Sequence, residues 1–236
     1  MTSHPRRRIY LMRHGAVDYF SAQGHALDAD GVPLSAAGRA QADAAGQVFA
    51  AERVTLDSVL TSGLARAHET AQRVLAAAGQ DALPGASDER LREIRFGDAT
   101  GLPRAALEAA FSGAFDVGPG VDLEQHRFLG GESIAELLDR VLPAWDELLQ
   151  RDDWRCLLLV LHGGVNRALL ARVLTGRRGF IGHFEQAPGC INVIDVGSGD
   201  AVLRAVNLTP LQWLQRGESM TTMEKLLAQF LKSQAS

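Results

Sequence analysis

Short apolar runs bounded by polar or glycine-containing stretches recur along the chain, and the segments between them repeat their apolar residues at helical spacing. Ile9–Met12 reads as a first strand and Asp57–Ser62 as a second. "CLLLVL", from Cys156 to Leu161, is apolar at every position, the pattern of a strand buried on both faces. Cys190–Val196 and Ala201–Val206 read as further strands, and Leu91–Ile94 as a short extended piece. Helices are predicted after Ser35, a good N-cap; over "GLARAHETAQRVLAAAG", ended by Gly79; over "GGESIAELLDRVLPAWDELLQ", with a kink or an adjusted turn at Pro143; and directly after His162. Strands alternating with helices predict an α/β fold, a three-layer α/β/α sandwich around a mostly parallel, mixed central sheet.

The chain contains no internal repeat or Pro/Ser linker, so one domain over residues 1–236 is expected. A lead-in covers residues 1–7, with Arg6-Arg7-Arg8 read as a solvated basic run, and a helical tail covers about 210–236. Leu102–Phe128 is expected over one end of the sheet. In the tail, Met223, Leu226, Leu227, Phe230 and Leu231 share a helical face, expected to dock on its own domain in preference to a subunit contact. A homodimer stays open.

Composition narrows the function classes. The 236 residues are 46% hydrophobic and 22% charged, with a net charge of −4, which gives no broad nucleic-acid surface. No stretch approaches the roughly 20 apolar residues of a membrane span. The two cysteines, Cys156 and Cys190, read as buried free thiols, which fits a cytoplasmic protein. His25–Asp30 reads as a hydrated loop and not a metal ligand set, and neither a metal nor a cofactor is expected.

Candidate chemistry gathers at strand ends. His14 follows "IYLMR" and precedes Gly15; His162 follows "LLLVL" and precedes Gly163. Open α/β sheets bind ligands at the carboxyl ends of their strands, and a glycine there lets backbone N–H groups approach the bound group. Arg66 falls in the first turn of its helix, the end that disfavours a cation unless an anion is near. Arg13, His14, Arg66 and His162 thus describe a pocket for a dianionic phosphoryl group, and the partner expected is a small phosphorylated substrate.

These motifs together resemble the histidine phosphatase, or phosphoglycerate-mutase-like, superfamily, over roughly Ile9 to Val206. "LMRHG" resembles the family's opening signature; the resemblance implies that His14 becomes phosphorylated and that Arg13 binds the phosphoryl group. "SVLTSGLARAHETA" carries the implied second phosphate-binding arginine, Arg66, and "LREIRFGDATG" the implied proton donor, Glu93. "VLHGGVNRAL" carries the second pocket histidine, His162, with Gly163 beside the phosphate. The implied activity is that of a metal-independent phosphomonoesterase of the histidine acid phosphatase type, with a phosphohistidine intermediate. Mutase-type phosphoryl transfer and a non-catalytic phospholigand-binding protein are the alternatives. The short Glu93–His162 spacing resembles the phosphatases. Ala16, Val17 and Phe20 replace polar residues common in the family's first loop, Leu161 a small hydroxyl residue, and Thr100 an acidic one. The Val17–Phe20 loop suggests a leaving group with apolar or aromatic parts.

Overall fold

The computed structural model describes residues 6–20, 27–98, 102–112, 122–217 and 219–234. Strands β1 (Arg7–Arg13), β2 (Ser58–Thr61), β3 (Gly85–Ser87), β4 (Cys156–Leu161), β5 (Ile191–Val196) and β6 (Ala201–Leu208) form a sheet of order β3-β2-β4-β1-β5-β6. β3, β2, β4 and β1 run parallel, while β5 and β6 add antiparallel strands at one side. The helices are α1 (Ala36–Ala51), α2 (Ala65–Ala77), α3 (Arg104–Ser112), α4 (Ile134–Gln150), α5 (Gly163–Thr175) and α6 (Thr222–Gln234). This is the expected mixed, mostly parallel sandwich.

Strand alternation sorts the core into two layers. Ile9, Leu11, Leu157, Leu159 and Leu161 face α4 and α5, where Leu137, Leu138, Val141, Trp145 and Leu169 are buried. Met12, Val59, Leu158 and Val160 face α1 and α2, against Ala45, Phe49, Ala71 and Val74. Every position of "LLLVL" is therefore used, which is why that strand lacks a polar face. Small residues let α1 and α2 meet closely: a Cβ on Gly46 would lie 2.4 Å from the Val74 carbonyl oxygen.

Local signals set most helix ends. The Ser35 side chain accepts from the Gly38 N–H at the start of α1, and Gly79 takes a left-handed conformation (φ +69°) just beyond α2. Ser133 and Glu136 form a capping box at α4, which continues through Pro143 as one helix. α6 docks on the chain itself, with Met223, Leu226, Leu227 and Phe230 packed against Leu107, Phe111 and Phe128.

Two expectations are corrected. Arg7 and Arg8 are strand residues and not a solvated lead-in: Arg7 stacks 4.0 Å over the Trp154 ring, and Arg8 pairs with Asp195 across the ladder at 2.7 Å. Leu91–Ile94 joins no strand; a 3-10 turn, Glu89–Leu91, leads into irregular chain. The edge strand is instead β3, three small exposed residues that β2 recruits by pairing. Thr100 and part of His25–Asp30 lie outside the described residues.

Candidate active site

β1, β4 and β2 are neighbours, so their carboxyl ends deliver Arg13 and His14, His162, and Ser62 with Arg66 to one place. The β1–β4 register pairs Arg13 with Leu161, and the His14 N–H continues the ladder to the Leu161 carbonyl at 2.9 Å. The two imidazoles lie 5.1 Å apart by ring centroid. Sequence neighbours hold this geometry. A Cβ on Gly15 would lie 2.4 Å from the Gly38 carbonyl oxygen, so the turn after His14 fits only as glycine against α1. Thr70 accepts from the Gly15 N–H and donates to the Arg66 carbonyl, tying the β1 loop to α2.

The His14 tautomer follows from its partners. Nδ1 lies 2.7 Å from the Gly15 carbonyl oxygen, which can only accept, so Nδ1 carries the proton. Nε2 then has a lone pair, and it accepts from the Arg66 Nε–H at 3.3 Å. His162 Nε2 lies 2.7 Å from Ser62 Oγ, which also accepts from the Leu64 N–H at 3.3 Å. With the Ser62 hydroxyl as donor, Nε2 accepts and the His162 proton sits on Nδ1. That nitrogen is buried without a protein partner. Burial, reinforced by the guanidinium groups of Arg66 and Arg13, holds the His14 pKa well below the usual histidine value. Burial also lowers that of His162, followed by the effects of His14, Arg66 and Arg13. Both rings are neutral near pH 7.

The cations are arranged for an anion. Arg13 is 8% exposed and Arg66 3%. Arg66 donates to the Ala29 carbonyl at 2.5 Å, and no carboxylate among the described residues lies within ion-pair distance of it. Arg13 donates to the Gln186 carbonyl and to Thr222 Oγ1, while Glu185 stands 3.8 Å away; its Nε is buried without a partner. Guanidinium groups are rarely taken from water without compensation, so this surplus favours a bound anion. Partners of the cluster that the sequence reading missed are Ser62, Glu185 and Thr222. Ser62 was recognised only as a strand end, and Thr222 stands 209 positions from Arg13, where no local pattern links them.

Glu93 reaches the same place from the irregular chain after the 3-10 turn. Its carboxylate accepts from the Gly164 N–H at 3.1 and 3.2 Å and from the Ile94 N–H at 3.0 Å. A Cβ on Gly164 would lie 2.6 Å from Glu93 Oε1, and one on Gly163 would lie 3.5 Å from Arg13 Nε and 3.8 Å from Glu93 Oε2. The two glycines that open α5 are therefore where arginine and glutamate converge. Arg92 and Arg95 pair elsewhere, with Asp30 and Glu132, and so leave the Glu93 carboxylate to the backbone N–H groups.

A cavity of about 360 Å³ opens over these groups, lined in part by Arg13, His14, Glu93, Gly163, Val17 and Tyr19. α6 forms its far wall through Thr222, Met223, Leu226 and Gln229. A neighbouring lobe of about 540 Å³ shares Tyr19, Glu93, Phe96 and Leu226 and adds Phe20, Phe111, Phe128 and Phe230. Burial pushes the Cys156 thiol up to about 11 and that of Cys190 up to about 12, so neither competes as a nucleophile. Among the described residues no cluster of three or more His, Cys, Asp or Glu side chains could hold a metal ion, and no helix is long and apolar enough to cross a membrane.

Comparison with known proteins agrees with this geometry. The chain is 37% identical over 183 residues to a glucosyl-3-phosphoglycerate phosphatase of Mycolicibacterium vanbaalenii, covering 71% of this chain and 74% of that protein. It is 31% identical over 183 residues to a 2,3-bisphosphoglycerate-dependent phosphoglycerate mutase of Mesorhizobium japonicum, covering 73% and 84%. The structure of the alpha-ribazole phosphatase from Shigella flexneri superposes with a TM-score of 0.63 at 28% identity, covering 85% of this chain and 96% of that one. The family model for branch 1 of the histidine phosphatase superfamily matches residues 9–209, a span that holds both histidines, both arginines and Glu93. The chain belongs to the histidine phosphatase superfamily.

Proposed function

We propose that the protein hydrolyses phosphate monoesters of small metabolites through a phosphohistidine on His14. The observation that carries this reading is the fixed tautomer. Nδ1 is committed to the Gly15 carbonyl, and the basic Nε2 lies in a buried pocket beside the Arg66 guanidinium.

In the first step Nε2 forms a bond to phosphorus as the ester P–O bond breaks. Arg13, Arg66 and the His162 Nδ1–H stabilise the equatorial oxygens, with the open N–H groups at the start of α5, Gly163 among them, adding their dipoles. Glu93, in its acid form, gives its proton to the departing alkoxide. As a carboxylate it then takes a proton from water, which attacks phosphorus and breaks the P–N bond. Phosphate leaves and His14 is restored. The positive charge in this scheme comes from side chains, so the reaction needs no metal ion.

Relatives of both reaction types, phosphatase and mutase, share the superfamily. Hydrolysis is preferred here because the Glu93–His162 segment is short and the cavity over the site is roomy enough to admit water beside a leaving group. A rapid-mixing experiment with nitrophenyl phosphate in the presence of a chelator tests the reading. A nitrophenolate burst that does not exceed one equivalent, followed by slower steady release of phosphate, is expected from the native chain. His14→Ala should give neither phase. Turnover that returns only on adding a divalent ion would overturn the mechanism.

A further inference from the structure

The stretch Gly130-Gly131-Glu132-Ser133 has a use beyond starting α4. A Cβ on Gly131 would lie 2.2 Å from the Arg95 carbonyl oxygen, and one on Gly97 would lie 1.7 Å from that of Leu129. The two glycine-containing stretches therefore pack backbone to backbone. Behind that contact the Glu132 side chain, 1% exposed, pairs with Arg140 of α4: Nε to Oε1 is 2.7 Å and Nη2 to Oε2 is 2.8 Å.

What this pair holds is the main chain on either side of Glu93. Arg140 Nη1 donates to the carbonyls of Arg90 and Arg92, each at 2.7 Å, and Nη2 donates to that of Glu93 at 3.2 Å. Glu132 Oε2 accepts from the Arg95 N–H at 3.0 Å, and the Glu132 N–H donates to the Arg95 carbonyl at 2.8 Å. Residues 92–98 belong to no helix or strand, so no ladder fixes their position. One fork-shaped cation and one buried carboxylate take the place of a ladder, satisfying both edges of the segment.

We infer that Glu132 and Arg140 are positioning residues for the proton donor, setting where the Glu93 carboxyl stands over the bond that breaks. Neither side chain contacts the reacting atoms, and the inference rests on Glu93 being the donor. The Gly164 N–H fixes one end of the Glu93 side chain, and the Arg140 fork fixes its backbone. A donor loosened by even part of an ångström loses transition-state contact, whereas the nucleophile just beyond β1 is untouched.

The test is the phosphorylation step measured in a single turnover with two esters, an alkyl phosphate whose alkoxide needs a proton and nitrophenyl phosphate whose phenolate does not. Glu93→Gln should slow the alkyl ester more than the nitrophenyl ester, by a differential of roughly 10². Arg140→Met should show the same split at about tenfold, Glu132→Gln a smaller one, and Arg140→Met added to Glu93→Gln no further split. If Arg140→Met does not fold, Arg140→Lys, which keeps the charge and loses the fork, makes the comparison together with Glu132→Gln. Equal slowing of both esters by these variants, with the Glu93→Gln split intact, would show the pair to be merely structural and overturn the inference. Absence of a split in Glu93→Gln itself would remove the donor, and the positioning role with it.

Discussion

At the scale of single residues, each pocket histidine is held through one ring nitrogen by one neighbour. For His14 that neighbour is a carbonyl, and for His162 it is the Ser62 hydroxyl. Ser62→Ala would leave His162 Nε2 buried without a partner, a cost of about 1–3 kcal/mol in folding stability. It would also free the His162 ring from the one side chain that orients it. The expected loss in kcat is about tenfold, less than the roughly 10²–10³ of deleting a charge-stabilising donor outright. Denaturant unfolding and steady-state kinetics on one preparation measure both; unchanged kcat with lowered stability would make Ser62 a packing residue only. Arg13, His14, Arg66 and His162 were readable from sequence because each stands at, or within a few residues of, the end of a strand whose apolar pattern marks it. Ser62 was not, because a serine after a strand has no signature, and its partner stands 100 positions away.

At the scale of elements, those with a strong internal pattern were legible. "CLLLVL" and the capping box of α4 are written in adjacent residues. β3 is not: Gly85, Ala86 and Ser87 have no alternation and owe their conformation to pairing with β2. Leu91–Ile94 misled in the opposite direction, since its apolar residues fill the core from irregular chain pinned by α4. The apolar face of α6 announced a docked helix, but not that its first residue would touch Arg13 or that its inner face would wall the cavity. Met223→Ala with Leu226→Ala opens that wall and leaves Thr222 on Arg13. KM should then rise for esters with bulky apolar leaving groups and change little for a small one such as methyl phosphate. A matching rise for both would place α6 outside substrate recognition.

At the scale of the whole molecule, the sheet fixes three strand ends side by side and the two helical layers bury what lies between them. That burial has a pH signature. The His14 and His162 pKa values are lowered in the folded protein, so the unfolded chain binds protons that the native one does not. Their contribution to stability is complete above the unfolded value of roughly 6.5 and is lost as pH falls from there toward the folded values. With both rings protonated only when unfolded, the slope reaches about 2.7 kcal/mol per pH unit. Denaturant titrations at pH 7.5 and 5.5 should show the decline, and His14→Gln should flatten it by about half. Equal slopes for the two proteins would mean that His14 is not buried neutral.

The central claim is that phosphorus bonds to Nε2 of His14, because Nδ1 is held by the Gly15 carbonyl. Phosphohistidine is acid-labile, and its two ring isomers give distinct phosphorus resonances. The direct measurement is therefore phosphorus NMR of protein quenched in alkaline denaturant during turnover, with peptide mapping of the label. The account predicts a single Nε2-linked phosphohistidine in the peptide that contains His14. A phosphoryl group on Nδ1, on His162 or on a carboxylate would contradict it, as would its persistence in His14→Ala.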